Sequence, residues 1–170
     1  FFLFAKKRKV YSVRSNLHKV EEISKLFSVK NIVPNICLNE KNIKNKSFFK
    51  LLKKKTLNKK LVLVAPSANW IGKTWPIENF CMLLKKLNKN IHFENSYFII
   101  VGPENEKKSI KNILKLKGLP TFDLVGKTDL PEIFLIMKES RLFIGNDSGL
   151  MHLAALAGIP TVGLFGPSDS

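Results

Sequence analysis

The sequence predicts an α/β fold built on a doubly wound parallel sheet, and three observations predict it. From Lys60 onward, short apolar runs recur at 61–65, 97–101, 122–125, 141–145 and 161–165. These runs are continuously apolar rather than alternating, as in parallel strands buried on both faces. Between them lie segments with helical periodicity, and strand–helix–strand repetition is the signature of a doubly wound sheet.

Each helix has its own signals. Ile77, Phe80, Leu84 and Leu87 follow 3-4-3 spacing after Pro76, a residue suited to a first helical turn. Ile110, Ile113 and Leu114 form the stripe of a second helix, stopped by Gly118. Asp129 and Glu132 have capping-box spacing ahead of Ile133, Ile136 and Met137. Leu153, Ala154 and Ala157 mark a further helix that ends at Gly158 and Pro160. Before residue 58 the pattern weakens. A helix fits 18–27, with Val20, Ile23, Leu26 and Phe27 on one face, and the Lys/Asn-rich stretch 39–60 reads as a linker or exposed helix. A domain boundary is placed near residue 58.

The 170 residues suffice for one domain, or one domain and a piece of another, and 45% hydrophobic content excludes wholesale disorder. No apolar run approaches the roughly 20 residues that cross a bilayer. The apolar start at Phe1 is followed, not preceded, by basic residues and is too short for a signal-peptide core. The lack of an initiator Met and the stop at Ser170 lead us to expect a fragment. Cys37 and Cys81 fit no metal or redox spacing and are compatible with a reducing compartment.

The formal charge of +16 is unevenly spread. Residues 1–60 hold 17 Lys/Arg against 3 Asp/Glu, whereas 61–170 hold 12 against 10. A basic first third suits nucleic acid, an anionic membrane surface or an acidic substrate. The same Asn, Ile, Phe and Lys richness also follows from AT-rich coding alone.

Three stretches carry chemistry, all at the carboxyl ends of strands, where open α/β sheets bind ligands. Gly145-Asn146-Asp147-Ser148-Gly149-Leu150-Met151-His152 runs from a strand into a helix. A helix N-terminus presents unpaired N–H groups and positive dipole, which suits a phosphate. Ser148 and Gly149 leave room for an anion, and His152 shares a helix face with Ser148. Asp147-Ser148-Gly149 also surrounds the nucleophile of serine proteases, but there in an all-β barrel with no helix following at once, so that reading is set aside. The loop 65–76 places Lys73 just before a helix, as a point charge for phosphate; its glycine spacing is not that of a P-loop. Val101-Gly102-Pro103-Glu104 puts a carboxylate where ribose hydroxyls are commonly bound, or where a helix N-terminal charge is useful.

Together these stretches resemble glycosyltransferase family 9, the ADP-heptose:lipopolysaccharide heptosyltransferases. Lys73-Thr74-Trp75-Pro76 looks like the family's Lys-x-Trp-Pro element, and Gly102-Pro103-Glu104 like its second-strand turn. The segment 124–132 is similar to its Gly-x-x-x-Leu segment. Asp147-Ser148-Gly149-Leu150-Met151-His152 matches its most specific signature, followed by Leu164-Phe165-Gly166-Pro167-Ser168. The resemblance covers 60–170; residues 14–30 look loosely like the end of the family's first domain.

The resemblance implies two facing Rossmann-like domains (GT-B). Residues 1–58 would be the end of the acceptor-side domain and a linker, and 59–170 the nucleotide-sugar-binding domain. It implies that Lys73 and the amides of Ser148 and Gly149 hold the donor diphosphate, with Asp147 and His152 flanking it. Glu104 would meet the ribose, Asn69 would lie near the phosphates, and the turn Gly126-Lys127-Thr128 would approach the base. It implies inverting, metal-independent transfer of heptose from ADP-heptose to an acidic glycolipid acceptor, with no cofactor and a carboxylate base in the first domain. It also implies a cytoplasmic setting with peripheral contact to the inner face of the inner membrane, and no nucleic acid partner. The alternatives are a non-catalytic nucleotide-binding relative, or a nucleic-acid-binding module driven by the basic first third, where no stacking platform is recognisable though Phe48 and Phe49 leave a small opening.

Overall fold

The computed structural model describes Lys41 and residues 46–166, within the unit Ile36–Ser170 of a chain that divides after Asn35. The helix expected at 18–27, Cys37, Pro167 and Ser168 lie outside the described residues.

Among the described residues five α-helices and five strands follow one another: α1 (Lys46–Lys55), β1 (Lys60–Ala65), α2 (Ile77–Asn88), β2 (Ser96–Ile100), α3 (Lys111–Leu114), β3 (Thr121–Asp123), α4 (Leu130–Lys138), β4 (Leu142–Asn146), α5 (Gly149–Leu156) and β5 (Thr161–Leu164). The sheet has the order β3-β2-β1-β4-β5, and all four pairings are parallel. The register sets Val64 beside Ile100 and Ala65 beside Gly145, so strands β1, β2 and β4 end near one level.

Alternation along the strands sorts the core into two layers. Val62, Val64, Phe98, Ile100 and Ile144 face α2 and α3, packing against Phe80, Leu84, Ile110 and Ile113. Leu61, Leu63, Ile99 and Phe143 face the other way, against Phe49 and Leu52 of α1, Ile133, Ile136 and Met137 of α4, and Met151 and Ala154 of α5. The first crossovers run outward from β1 to β3, and the later ones return to β4 and β5 on the other side. Right-handed connections therefore put the two helix sets on opposite faces. The chain reverses between β1 and β4.

The local signals act as the physics requires. At α4, Asp129 accepts from the Glu132 amide (3.0 Å) while Glu132 accepts from the Asp129 amide (3.1 Å), a reciprocal capping box. Gly118 and Gly158 end their segments at φ +74° and +75°, where a side chain is strained.

Three expectations need correcting. Within the stretch 39–60, the described residues 46–60 are not merely exposed: α1 buries Phe49 and Leu52, three residues apart, while Lys50 and Lys54 stay in water. The second helical stripe forms a single α turn, because Ile110 and Ile113 fill their layer from turns and one short helix. Strand β3 spans Thr121–Asp123, with the buried Leu124 and Val125 already in the following turn. No helix among the described residues is long and apolar enough to cross a membrane.

Candidate functional site

The loop after β1 is held at both ends by one buried side chain. Asn146, the last residue of β4 and fully buried, accepts from the Trp75 amide (3.0 Å) and donates to the Pro66 carbonyl (2.9 Å). Between those anchors a tight turn, Ile71–Lys73, is closed by the Lys73 amide donating to the Trp70 carbonyl (3.0 Å). The Trp70 indole covers Gly72 so closely that a Cβ there would collide with it. At α2, Trp75 meets Phe80 edge to face at 5.1 Å. Lys73 is thereby aimed across the chain reversal.

Its partner is Asp147. The Lys73 ammonium donates to Asp147 Oδ2, and Asp147 Oδ1 lies 3.8 Å from His152 Nε2. The Asp147 amide in turn donates to the Leu164 carbonyl (3.0 Å), pinning the β4–α5 turn to β5. Ser148 is the N-cap of α5, but its hydroxyl makes no capping bond and is buried with no hydrogen-bond partner. Beside it Gly149 opens onto free space. The opening turn of α5 begins with the Met151 and His152 amides donating to the Ser148 carbonyl (3.0 and 3.3 Å), so the amides of Ser148, Gly149 and Leu150 have no partner within the helix. One cation, an unoccupied hydroxyl and the positive end of a helix thus converge. That combination attracts and orients a phosphate.

A second group assembles at the ends of β2 and β3. Glu104 opens a tight turn, pairs with Lys107 (3.3 Å) and lies directly against Gly126. Gly126 has φ +70°, and its amide donates to the Gly102 carbonyl (2.9 Å). Two residues on, the Thr128 hydroxyl is buried with no hydrogen-bond partner. An open groove of about 610 Å³ runs from Glu104 along Asn105, Lys107, Lys108, Lys111 and Leu114. Ser67, on the loop that carries Lys73, has its Oγ 3.2 Å from where a Gly102 Cβ would stand.

The structure therefore brings Lys73, Asp147, Ser148, Gly149 and His152 together, and separately Glu104 with the turn that carries Thr128. Asn69 is exposed on the Lys73 loop. Asn146 takes a role that its motif does not announce. A polar residue closing an otherwise apolar strand was the signal that it is buried for a reason. Glycine closeness at Gly126 and Gly166 was also missed; Gly166 packs on the backbone of Gly72.

With this geometry in place, the family comparison is decisive. The model of glycosyltransferase family 9 (heptosyltransferase) matches residues 2–170. The chain belongs to that family. Lipopolysaccharide heptosyltransferase 3 of Escherichia coli is 29% identical over 112 residues, which are 64% of this chain and 32% of that relative. Among solved structures, E. coli ADP-heptose lps heptosyltransferase II aligns with TM-score 0.68 at 25% identity, covering 82% of this chain and 42% of that one. E. coli heptosyltransferase WaaC, solved with ADP, aligns with TM-score 0.63 at 17% identity, over 94% and 49%. The match spans about a third of the length of the curated relatives. The α/β Rossmann-like fold expected from the sequence is the fold observed. Among the described residues no cluster of three or more His, Cys, Asp or Glu is placed to hold a metal.

Proposed function

We propose that this chain is the donor-binding part of a heptosyltransferase that moves heptose from ADP-heptose to a lipopolysaccharide core acceptor with inversion. The observation that carries the reading is the convergence of Lys73, Asp147 and the buried, unpartnered Ser148 hydroxyl on the N-terminus of α5. The relatives support it: one is named as a lipopolysaccharide heptosyltransferase, and a structural neighbour was solved with ADP.

In this reading Lys73 and the amides of Ser148 and Gly149 hold the diphosphate, and Asp147 and His152 flank it. Glu104 meets the ribose, the turn 126–128 approaches the base, and Asn69 stands near the phosphates. Residues 59–170 make up the nucleotide-sugar domain, and 1–58 the end of the acceptor-side domain and its linker.

An acceptor hydroxyl attacks the anomeric carbon as the C–O bond to the diphosphate breaks, through an oxocarbenium-like transition state. Negative charge grows on the leaving phosphate. A fixed ammonium and a helix N-terminus aimed at that charge stabilise the transition state more than the ground state. The donor must first displace Asp147 from Lys73, so Asp147 holds the ammonium in place until the diphosphate arrives. A base takes the acceptor's proton as the new bond forms. The acidic acceptor faces the basic first third, where Lys53, Lys54 and Lys55 contribute charge.

Calorimetric titration of ADP into the chain tests the donor reading, with UDP and GDP alongside and a chelator present. Saturable ADP binding that ignores the chelator supports it. A folded chain that binds no nucleotide, or binds only with a divalent cation, overturns it. For the acceptor side, replacing Lys53, Lys54 and Lys55 with Gln should weaken binding to anionic vesicles; unchanged binding removes those lysines from the reading.

A further inference from the structure

The near-neutral charge of residues 61–170 conceals a segregation. Residues 77–118 hold 8 Lys against 4 Glu, while 119–170 hold 3 Lys/Arg against 6 Asp/Glu. The parallel sheet then decides where those lysines go. Every segment leading into a strand arrives at the end of the sheet opposite Lys73 and Asp147.

Three such segments are basic. The turn into β1 carries Lys59 and Lys60, the end of α2 carries Lys85, Lys86 and Lys89, and the turn into β3 carries Lys115 and Lys117. All seven are exposed. Hydrogen bonds join the segments into one surface. The Lys60 amide donates to the Asn95 carbonyl (3.1 Å), and Asn95 Nδ2 donates to the Asn58 carbonyl (3.1 Å). Asn88 Nδ2 donates to the Gly118 carbonyl (3.3 Å), tying the end of α2 to the turn into β3. Glu94 is the one acidic residue in these turns, and 107–118 contain none.

Two aliphatic side chains stand out of this basic surface, Leu57 at 70% exposure and Ile91 at 76%. Phe93, in the turn between α2 and β2, is instead partly buried and packed against the core layer under α2. Lysines around projecting aliphatic groups fit anionic headgroups over acyl chains. Among the described residues the surface lacks the exposed aromatic platform that single-stranded nucleic acid uses.

We propose that the strand-entry end of the sheet is a docking surface for an anionic lipid bilayer, with the lysines on the headgroups and Leu57 and Ile91 entering the interface. Six residues of β1, at about 3.3 Å each, then hold the Lys73 loop roughly 20 Å from the headgroups. The phosphate-binding end faces away from the lipid, at the height of a headgroup-linked glycan. This deepens the membrane contact proposed above, yet rests on the charge of the sheet edge. Vesicle binding and ADP titration fail independently, so the two readings are distinguishable.

The test is sedimentation of the whole chain with phosphatidylcholine vesicles containing phosphatidylglycerol, compared with phosphatidylcholine alone. Two charge-matched triple variants separate place from total charge: K86Q/K115Q/K117Q at the proposed surface and K107Q/K108Q/K111Q beside the Glu104 groove. At about 1 kcal/mol per lysine, the first should weaken vesicle binding roughly a hundredfold and the second far less. Ile91→Gln, a charge-neutral change at a position 76% exposed, should weaken vesicle binding but not binding to heparin. Equal losses from both triples, an unaffected Ile91→Gln, or loss of duplex DNA binding with vesicle binding intact would each overturn the proposal.

Discussion

Lys73 and Asp147 are 74 positions apart in the chain, yet they form an ion pair across the gap between β1 and β4, where the order of the sheet reverses. The pair is partly buried, with side-chain exposures of 33% and 14%. It also sits at the positive end of α5, so its members are not equivalent. Asp147 is favoured by the helix dipole even without Lys73, whereas Lys73 without Asp147 faces that dipole uncompensated.

The first prediction follows from that asymmetry. Asp147→Ala should lower unfolding free energy by about 1–2 kcal/mol, and Lys73→Ala by less than about 1. Urea denaturation of both variants checks it, and the reverse order would mean that the helix end does not act on the pair. For ADP the ranking differs. Lys73→Ala removes a charge-assisted hydrogen bond, which predicts a loss of affinity of about 10- to 100-fold by calorimetry.

Asn146 supplies the second prediction. Asn146→Ala orphans the Trp75 amide and the Pro66 carbonyl in a dry setting and should cost about 2–4 kcal/mol in urea. Asn146→Asp keeps an acceptor for Trp75 but loses the donor to Pro66 and buries a carboxylate. It should be destabilising at neutral pH, with acid easing the defect because a protonated carboxyl donates again. An Asn146→Asp variant with no such acid relief would show that the Pro66 bond matters little.

What could be read in the sequence was local. The Asp129–Glu132 capping box lies three residues apart, and both its hydrogen bonds form. Continuous apolar runs gave away β1, β2 and β4 because those strands are buried on both faces. The Lys/Asn-rich α1 misled because its lysines hide the spacing of Phe49 and Leu52, which are buried. At the site, motif order pointed to Lys73 and Asp147 separately, but their pairing depends on strand order, which no spacing encodes. Asn146 was hidden for a related reason: its two partners lie 71 and 80 residues upstream.

Gly126 and Glu104 carry the third prediction. Gly126→Ala meets two penalties: a side chain at φ +70°, and collision with Glu104. The backbone part is about 1–2 kcal/mol. In a Glu104→Gly background only that part remains, so a double-mutant cycle should show coupling above about 0.5 kcal/mol. Additive losses would mean that the turn after β3 shifts to admit the methyl group, and that Glu104 is not held by it.

The last prediction concerns acid. Burial pushes the Asp123 carboxyl up, but the hydrogen bond from Lys127 (2.8 Å) and that from the Val125 amide (3.0 Å) outweigh it and hold the group below the usual carboxylate range. A carboxyl whose folded value is depressed stabilises the fold fully above its unfolded value of about 3.9, and the contribution disappears as pH falls through the lower folded value. Asp123→Asn should therefore destabilise the chain at neutral pH and reduce the fall in stability below about pH 4. The exposed Lys127 keeps the effect modest, because solvent screens the pair. Urea midpoints of both proteins across acid pH give the answer. Parallel curves would show that the Lys127 and Val125 bonds contribute nothing to the acid sensitivity of the β3 turn.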